Sequence, residues 1–427
     1  MSAKQSIARG VGRLSNMVLA KGKGSFVWNT EGQKLLDFTC GIGVTNLGHC
    51  HPKVTAAVQK QAETLVHGQV GVAYHAPMLK YAEALLPELP KPLDSLFFAS
   101  TGAEAVENAV KLARHATGKP NIIVFQGGFH GRTLGTMSLT TSKTIYSTGF
   151  GPLLGGITTV PFPYLVHSPC ADEGSCVAHC LAELELALKQ RTAPSDTAAI
   201  LIEPVMGEGG YVPAPKAFMQ QLRRICDANN ILLIADEVQC GFGRTGSLFA
   251  IDGMYDVSPD ILVMAKGIAN GYPLSAIASR RELTDKQPPG SMGGTYAGNA
   301  VAMAAASATL EAFHEEAVLA NTRTRGEQLM RGLERLKNKY PVLDVRGVGL
   351  MQAMEFDATV APGTAARICQ TCVDKGMLLL STSTYETLRF IPPLNVSADE
   401  VELGLDILDA ALGEVFRAEL RDVRKVA

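Results

Sequence analysis

No apolar run in these 427 residues approaches the roughly 20 needed to span a bilayer; the longest, such as Ile231–Ala235, are far shorter. Charge of one sign is equally scarce. Lys and Arg number 39 against 41 Asp and Glu, a formal net charge of −2, with no block of like charges. That argues against a nucleic-acid-binding face and against a basic membrane patch. Disulfide spacing is missing too: nine cysteines, an odd count, lie scattered at Cys40, Cys50, Cys170, Cys176, Cys180, Cys226, Cys240, Cys369 and Cys372. A long, core-rich chain without a pairing pattern reads as reduced and cytoplasmic. There is no internal repeat, no low-complexity linker, and no apolar stretch of the secretory type near the start. A basic N-terminus, with Lys4, Arg9, Arg13, Lys21 and Lys23 before the first acid at Glu31, leaves a transit peptide open on composition. Neither G-x-S-x-G nor H-E-x-x-H occurs, since His314-Glu315 lacks the second histidine.

What is present is ordinary globular composition, 46% hydrophobic and 19% charged, in a chain long enough for roughly two to three domains. From about residue 95 to 280, strand-like runs (Ser95–Ala99, Asn121–Phe125, Ala198–Ile202, Ile231–Ala235, Asp260–Met264) alternate with helical patterns such as Glu104–His115 and Lys216–Ala228. That alternation predicts an α/β architecture, a mostly parallel sheet covered on both faces. After about residue 296 the pattern changes. Helices are expected at Ala300–Phe313 and Arg323–Tyr340, strands at Val345–Phe356, Met377–Leu380 and Thr387–Ile391, and a last helix from Ala398, making a second, smaller α+β unit.

In such sheets ligands sit beyond the carboxyl ends of the strands. The residues there are Asp236 and Gln239 after one strand, Glu203 and the glycine-rich "MGEGG" after another, and "STGAEAVENAVKLAR", where Gly102 and Ala103 open a helix. A fourth strand leads into "QGGFHGRT", with Phe129, His130 and Arg132, and a fifth into Lys266 followed at once by Gly267. Singly, each has a bland reading: the Asp caps a helix, the Lys snorkels to water, the aromatic is core. All of them would have to hold together on one sheet edge. "GFGRTG" (Gly241, Gly243, Gly246) fits the dinucleotide fingerprint, but Asp236–Cys240 separate it from its strand and "SLFAIDGMY" is a poor helix opening. "HSPCADEGSCVAHC" gathers His167, Cys170, Cys176, His179 and Cys180, zinc-type donors; a reduced surface loop is the favoured reading, and Cys369-x-x-Cys372 reads as helix packing.

One chemistry uses all of these groups. A lysine amine condenses with an aldehyde only when unprotonated, which burial and neighbouring cations promote. Pyridoxal phosphate brings the aldehyde, a phosphate suited to a helix N-terminus, and a ring nitrogen that needs an acidic partner. Lys266 would hold it as a Schiff base.

The run "STGAEAVENAVKLAR", "FHGRT", "IEPVMGEGG", "LIADEVQCGFGRTG", "AKGIANGYPL" and "GGTYAGN" resembles, in order, the class III pyridoxal-phosphate aminotransferases of fold type I, the 4-aminobutyrate aminotransferases most of all. The likeness runs from about Ile7 to the final helix and leaves little sequence for a transit peptide. It implies an N-terminal segment (1–50) that joins the small domain, a large cofactor-binding domain (51–312) and a C-terminal small domain (313–427). By that resemblance, Lys266 carries the cofactor and shuttles a proton, Asp236 pairs with the pyridine nitrogen and Gln239 bonds the ring hydroxyl. Gly102 and Ala103 cradle the phosphate, and Phe129 stacks on the ring where several family members have Tyr, with His130 among the cofactor-binding residues. Thr295 reaches the phosphate of the neighbouring subunit, so the unit is a homodimer or a dimer of dimers. Arg132 takes the substrate's distal carboxylate, and Glu203 with Arg389 forms a gate pair. The implied reaction moves the amino group of an ω-amino acid to 2-oxoglutarate. Ile42 in "CGIGVTNLGH" supports such a donor, ornithine aminotransferases resembling one another in a nearby tyrosine; acetylornithine-type and broad amine:keto-acid transaminases are the alternatives. A catalytically silent relative would lack Lys266 or Asp236, and both are present.

Overall fold

The computed structural model describes residues 3–426, with side chains described as far as position 418. Three N-terminal strands, β1 (Leu19–Lys23), β2 (Phe26–Asn29) and β3 (Lys34–Asp37), precede the central sheet. That sheet contains β4 (Ser95–Ala99), β5 (Asn121–Phe125), β6 (Ile157–Val160) and β7 (Thr197–Ile202). A two-residue ladder, β8 (Val205–Met206) with β9 (Val212–Pro213), follows at once, and then come β10 (Leu232–Asp236), β11 (Ile261–Met264) and β12 (Ser275–Ser279) of the central sheet.

Every residue of β7, β10 and β11 is buried, as expected of strands with helices on both faces. The strand order is β4-β12-β11-β10-β7-β5-β6. Only β12 runs antiparallel to its neighbours; the remaining pairs are parallel. From β4 the chain crosses to β5 through the helix Gly102–Thr117. That helix starts where it does because Thr101 Oγ1 accepts from Glu104 N while the Glu104 carboxylate accepts from the amides of Ser100 and Thr101, a reciprocal cap. It stops at Gly118, φ 69°, where a left-handed residue is easiest for glycine.

The remaining strands are β13 (Val342–Val348), β14 (Met351–Phe356), β15 (Met377–Leu378), β16 (Leu380–Thr382) and β17 (Thr387–Phe390). The expected single strand Val345–Phe356 is a hairpin, because Gly347 (φ 129°) and Gly349 (φ 55°) turn the chain between β13 and β14. These two strands with β17 and β16 make a four-stranded antiparallel sheet. β15 instead pairs in parallel with β3, Met377 opposite Leu36, so distant parts of the chain share the sheet β1-β2-β3-β15. Of the two long helices expected between the sheets, one is Ala300–Glu315 and the other begins at Val318 rather than Arg323. Among the described residues no helix is long and apolar enough to cross a membrane, and all nine cysteines are free.

"GFGRTG" is a packing device rather than a nucleotide loop. Arg244 is wholly buried and donates to Leu350 O (3.1 Å), Asn46 Oδ1 (2.7 Å) and Pro392 O, so one side chain ties three distant segments together. A Cβ on Gly243 would lie 2.4 Å from Phe313 Cε1, which leaves room for glycine alone.

Candidate active site

The carboxyl ends of β4, β5, β7, β10 and β11 open onto one cavity of about 380 Å³. Lys266, Asp236, Gln239, Gly102, Ala103, Phe129, His130, Arg132 and Glu203 all line it, together with Ser100 and the turn Tyr272–Leu274.

Lys266 follows β11 with φ 47°, a left-handed conformation uncommon for residues other than glycine. The next residue is glycine because a Cβ there would meet Asn46 Nδ2 at 2.1 Å. Burial pushes the Lys266 ammonium down to about 8; Arg389 acts in the same direction, against the opposing charges of Glu208, Glu203 and Asp236. An amine in that range is partly unprotonated at neutral pH and can act as a nucleophile.

Asp236 ends β10 and is buried. Its Oδ2 accepts from His130 Nδ1 at 2.8 Å and its Oδ1 from Val238 N at 3.1 Å. Burial alone would lower the His130 imidazole, but the hydrogen bond and charge of Asp236, with Glu203 nearby, raise it instead. That hydrogen bond fixes the direction in which the Asp236 carboxylate points. Gln239 is also buried, and its Oε1 has no hydrogen-bond partner among the described residues. At the helix start, Glu104 occupies the amides of Ser100 and Thr101. The amides of Gly102 and Ala103 are therefore first-turn donors left for a ligand. A Cβ on Gly102 would lie 3.0 Å from Val238 Cγ1, so this corner tolerates little bulk.

The expected gate pair is not what forms. Arg389, buried on β17, donates through Nη1 to Glu208, not Glu203. Glu203 is spoken for locally: Oε1 accepts from Phe129 N and Oε2 from Gly207 N, each at 2.8 Å. Coming directly off β7, its short reach ends beneath the β5 loop, and burial raises its carboxyl pKa. Burial would raise Glu208 as well, yet the charges of Arg389 and Lys266 hold it below the ordinary carboxylate range. A buried ion pair therefore stands within charge range of the Lys266 ammonium, though neither partner forms part of the cavity wall. The sequence signal was there, in the glutamate of "MGEGG", but only the loop geometry separates its role from that of Glu203.

Arg132 is exposed at the cavity mouth. Its guanidinium lies 4.9 Å from the Tyr146 ring centre and 5.8 Å from that of Phe129, and those two rings meet edge to face at 5.1 Å. Tyr146 was not anticipated, and neither was Lys143, whose ammonium burial lowers while it senses Glu208 and Arg389. Ile42 is 37% exposed, outside the cavity wall, and sits at φ 68°, a β-branched residue in backbone that costs about 1–3 kcal/mol. Thr295 is exposed, also outside the wall. The zinc-type cluster does not assemble: His167 Nε2 donates to Glu355, and Cys176 and Cys180 are buried in the helix Glu173–Gln190. Among the described residues no three His, Cys, Asp or Glu side chains converge as metal ligands.

The donor set fits pyridoxal phosphate. It offers an amine near pKa 8, an acid held by histidine, an unpartnered amide oxygen and two free first-turn amides beside a corner where only small residues fit.

The class-III aminotransferase family model matches residues 6–412. A 5-aminovalerate aminotransferase of Pseudomonas putida is 42% identical over 417 residues, 96% of each chain. A 4-aminobutyrate aminotransferase of Escherichia coli is 40% identical over 422 residues, again 96% of each. Among solved structures, an amine transaminase from an uncultivated Pseudomonas species in its PLP-bound form superposes with TM-score 0.88 at 32% identity, covering 94% of this chain and 95% of that one. Motifs, cavity and likenesses agree: the chain belongs to the class-III aminotransferases, pyridoxal-phosphate-dependent enzymes of fold type I that act on amino and keto substrates.

Proposed function

We propose that this enzyme transfers the amino group of a short ω-amino acid, 4-aminobutyrate or its homologue one methylene longer, to 2-oxoglutarate. The observation that carries the reading is the buried Glu208–Arg389 pair beside Lys266. Such an enzyme must accept a dicarboxylate in one half-reaction and, in the other, an amine with a carboxylate only at its far end. A fixed cation facing the reacting carbon would be left buried and unpaired in the second case, which costs several kcal/mol. Glu208 supplies the partner during that half. When 2-oxoglutarate arrives, its α-carboxylate takes Arg389 and its distal carboxylate takes Arg132.

Pyridoxal phosphate supplies an electron sink for the bond that breaks at the substrate carbon. Lys266 Nζ, delivered to the cavity by the end of β11, would remove and return the proton there. Asp236, oriented by His130, keeps a proton on the ring nitrogen. Gln239 would hydrogen-bond the ring hydroxyl, and the amides of Gly102 and Ala103 would hold the phosphate. Phe129 covers the ring face, while Ile42 borders the substrate path. Thr295, exposed on one protomer, serves the cofactor phosphate of a second, which makes the working unit a homodimer or a dimer of dimers.

Single-turnover kinetics of the two half-reactions test this. Glu208→Gln is expected to slow the 4-aminobutyrate and 5-aminovalerate half by about 10²-fold while sparing glutamate, as loss of a buried charge partner predicts. Arg389→Ala is expected to raise the KM for 2-oxoglutarate and spare the ω-amine half. Equal losses in both halves for both variants would make the pair structural and remove the basis for an ω-amino donor.

A further inference from the structure

Glu208 lies on the short loop between β8 and β9, whose Gly207 N donates to Glu203 Oε2 (2.8 Å) and whose Gly209 packs against Gly127. At the front Gly207 abuts Gln239, a Cβ there falling 2.8 Å from Gln239 Nε2. Behind, Met206 and Gly209 border a second cavity of about 310 Å³. With open volume at its back, the loop could yield instead of holding Glu208 against Arg389.

Two further anchors, both from the sheet that also carries Arg389, hold the part of the loop that bears Glu208. Glu208 O accepts from Ser383 N (2.9 Å) and Thr382 Oγ1 (3.0 Å) at the end of β16. Gly210 O accepts from Arg346 Nε (2.9 Å), on β13. Arg346 is itself held: Nη1 donates to Asp344 (2.9 Å) and Nη2 to Glu355 (2.7 Å) on β14. Glu355, nearly inaccessible, also accepts from Tyr164 Oη (2.6 Å) and His167 Nε2, which come from the loop after β6. Gly210 sits at φ 133°, and a Cβ there would be 2.9 Å from Arg346 Nη2 and 3.1 Å from Tyr164 Oη. The clamp and the loop are fitted closely enough to exclude a single carbon.

We infer that Arg346, braced by Glu355 and Tyr164, is a positioning residue for the gate. It holds the Glu208 loop to the sheet bearing Arg389, so that switching between substrates is a swing of the arginine side chain and not a movement of the loop. The inference rests on the gate reading above. A planar guanidinium can serve Gly210, Asp344 and Glu355 together; a lysine ammonium keeps the charge but cannot span all three.

The test is Arg346→Lys in the cofactor-loaded enzyme, with Tyr164→Phe as a milder second variant, each assayed in both half-reactions by single turnover. Arg346→Lys is expected to slow the ω-amino acid half by about 10- to 100-fold, the scale of an ångström-level misplacement, while the glutamate half stays near wild type. Tyr164→Phe shifts the same ratio in the same direction but less. In a Glu208→Gln background, Arg346→Lys adds no further change to the ratio, because the group it positions is gone. Equal loss in both halves, or an undiminished effect on top of Glu208→Gln, overturns the positioning role. If Glu208→Gln separates the half-reactions and neither Arg346→Lys nor Tyr164→Phe does, this inference alone falls; if Glu208→Gln fails to separate them, the gate reading falls and takes it along.

Discussion

The lowered pKa of Lys266 can be measured without cofactor or substrate. Its amine is pushed to about 8 from a reference of 10.5, by burial first and by Arg389 in the same direction. At pH 7 a group of pKa 8 is about one part in ten unprotonated, against about one in 3000 for an ordinary lysine, so Lys266 should react about 300-fold faster per intrinsic nucleophilicity. Competitive acetylation of the cofactor-free protein across pH 6 to 11 (chosen on the order of those pKa values), read by peptide mass spectrometry with surface Lys91 as reference, gives the midpoint directly. The sign of each perturbation follows from the charges. Glu208 opposes the shift, so Glu208→Gln moves the Lys266 midpoint lower; Arg389 favours it, so Arg389→Ala moves it higher. Linkage gives an independent check. Between pH 8 and 10.5 the unfolded chain binds a proton that the folded chain has released, so this residue makes stability rise with pH across that window. Lys266→Met should flatten that slope. A midpoint near 10, or movements of the opposite sign in the two variants, would refute the electrostatic account of why this lysine is reactive. In the loaded enzyme, borohydride should fix the cofactor to Lys266 and to no other lysine.

Thr295 and the assembly are tested by sedimentation: a dimer or multiple of a dimer is expected, with Thr295→Val weakening cofactor retention and a fully active monomer ruling out the shared site. Arg244→Ala removes the donors to Leu350 O, Pro392 O and Asn46 Oδ1 and leaves a void, which should lower stability by about 3–5 kcal/mol in urea unfolding with an unchanged slope.

Much of the fold was readable because the central strands are continuous apolar runs bounded by chemistry. β4 and β5 fall on the expected residues and β7, β10 and β11 within one or two. β12, "SAIAS", was not readable. It is small and half polar, and it is a strand because its neighbours make it one: Ser275 Oγ donates to Thr101 O and Ser279 Oγ to Asp260 O, so the hydroxyls are satisfied inside the sheet. β2 and β3 are four residues each, too short for a pattern to stand out, and β1 was missed for another reason. β1, "LAKGK", is exposed at four of five positions, and exposed strands carry no strong alternation. The pairing of β3 with β15 joins residues more than three hundred positions apart, and local pattern holds no information about such a contact.

The site divides along the same line. Lys266, Asp236, Gly102 and Phe129 follow their strands so closely that the sheet alone delivers them to the crevice, which is why a one-dimensional reading could gather them. The gate could not be gathered that way. Glu203 and Glu208 stand five residues apart in one motif, and both end up buried, yet their fates are opposite. Glu203, at the strand end, is captured by the amides of Phe129 and Gly207. Glu208 is carried round the β8–β9 turn, where Gly209 and Gly210 allow the backbone to pass between Gly127 and Tyr164 at distances no side chain permits. Only after that turn does it face Arg389, on a strand from the other end of the chain. A residue's place was legible where secondary structure alone aims it. Where placement depends on two segments meeting, the sequence named the right chemical types, and the folded loop shows which carboxylate meets the arginine.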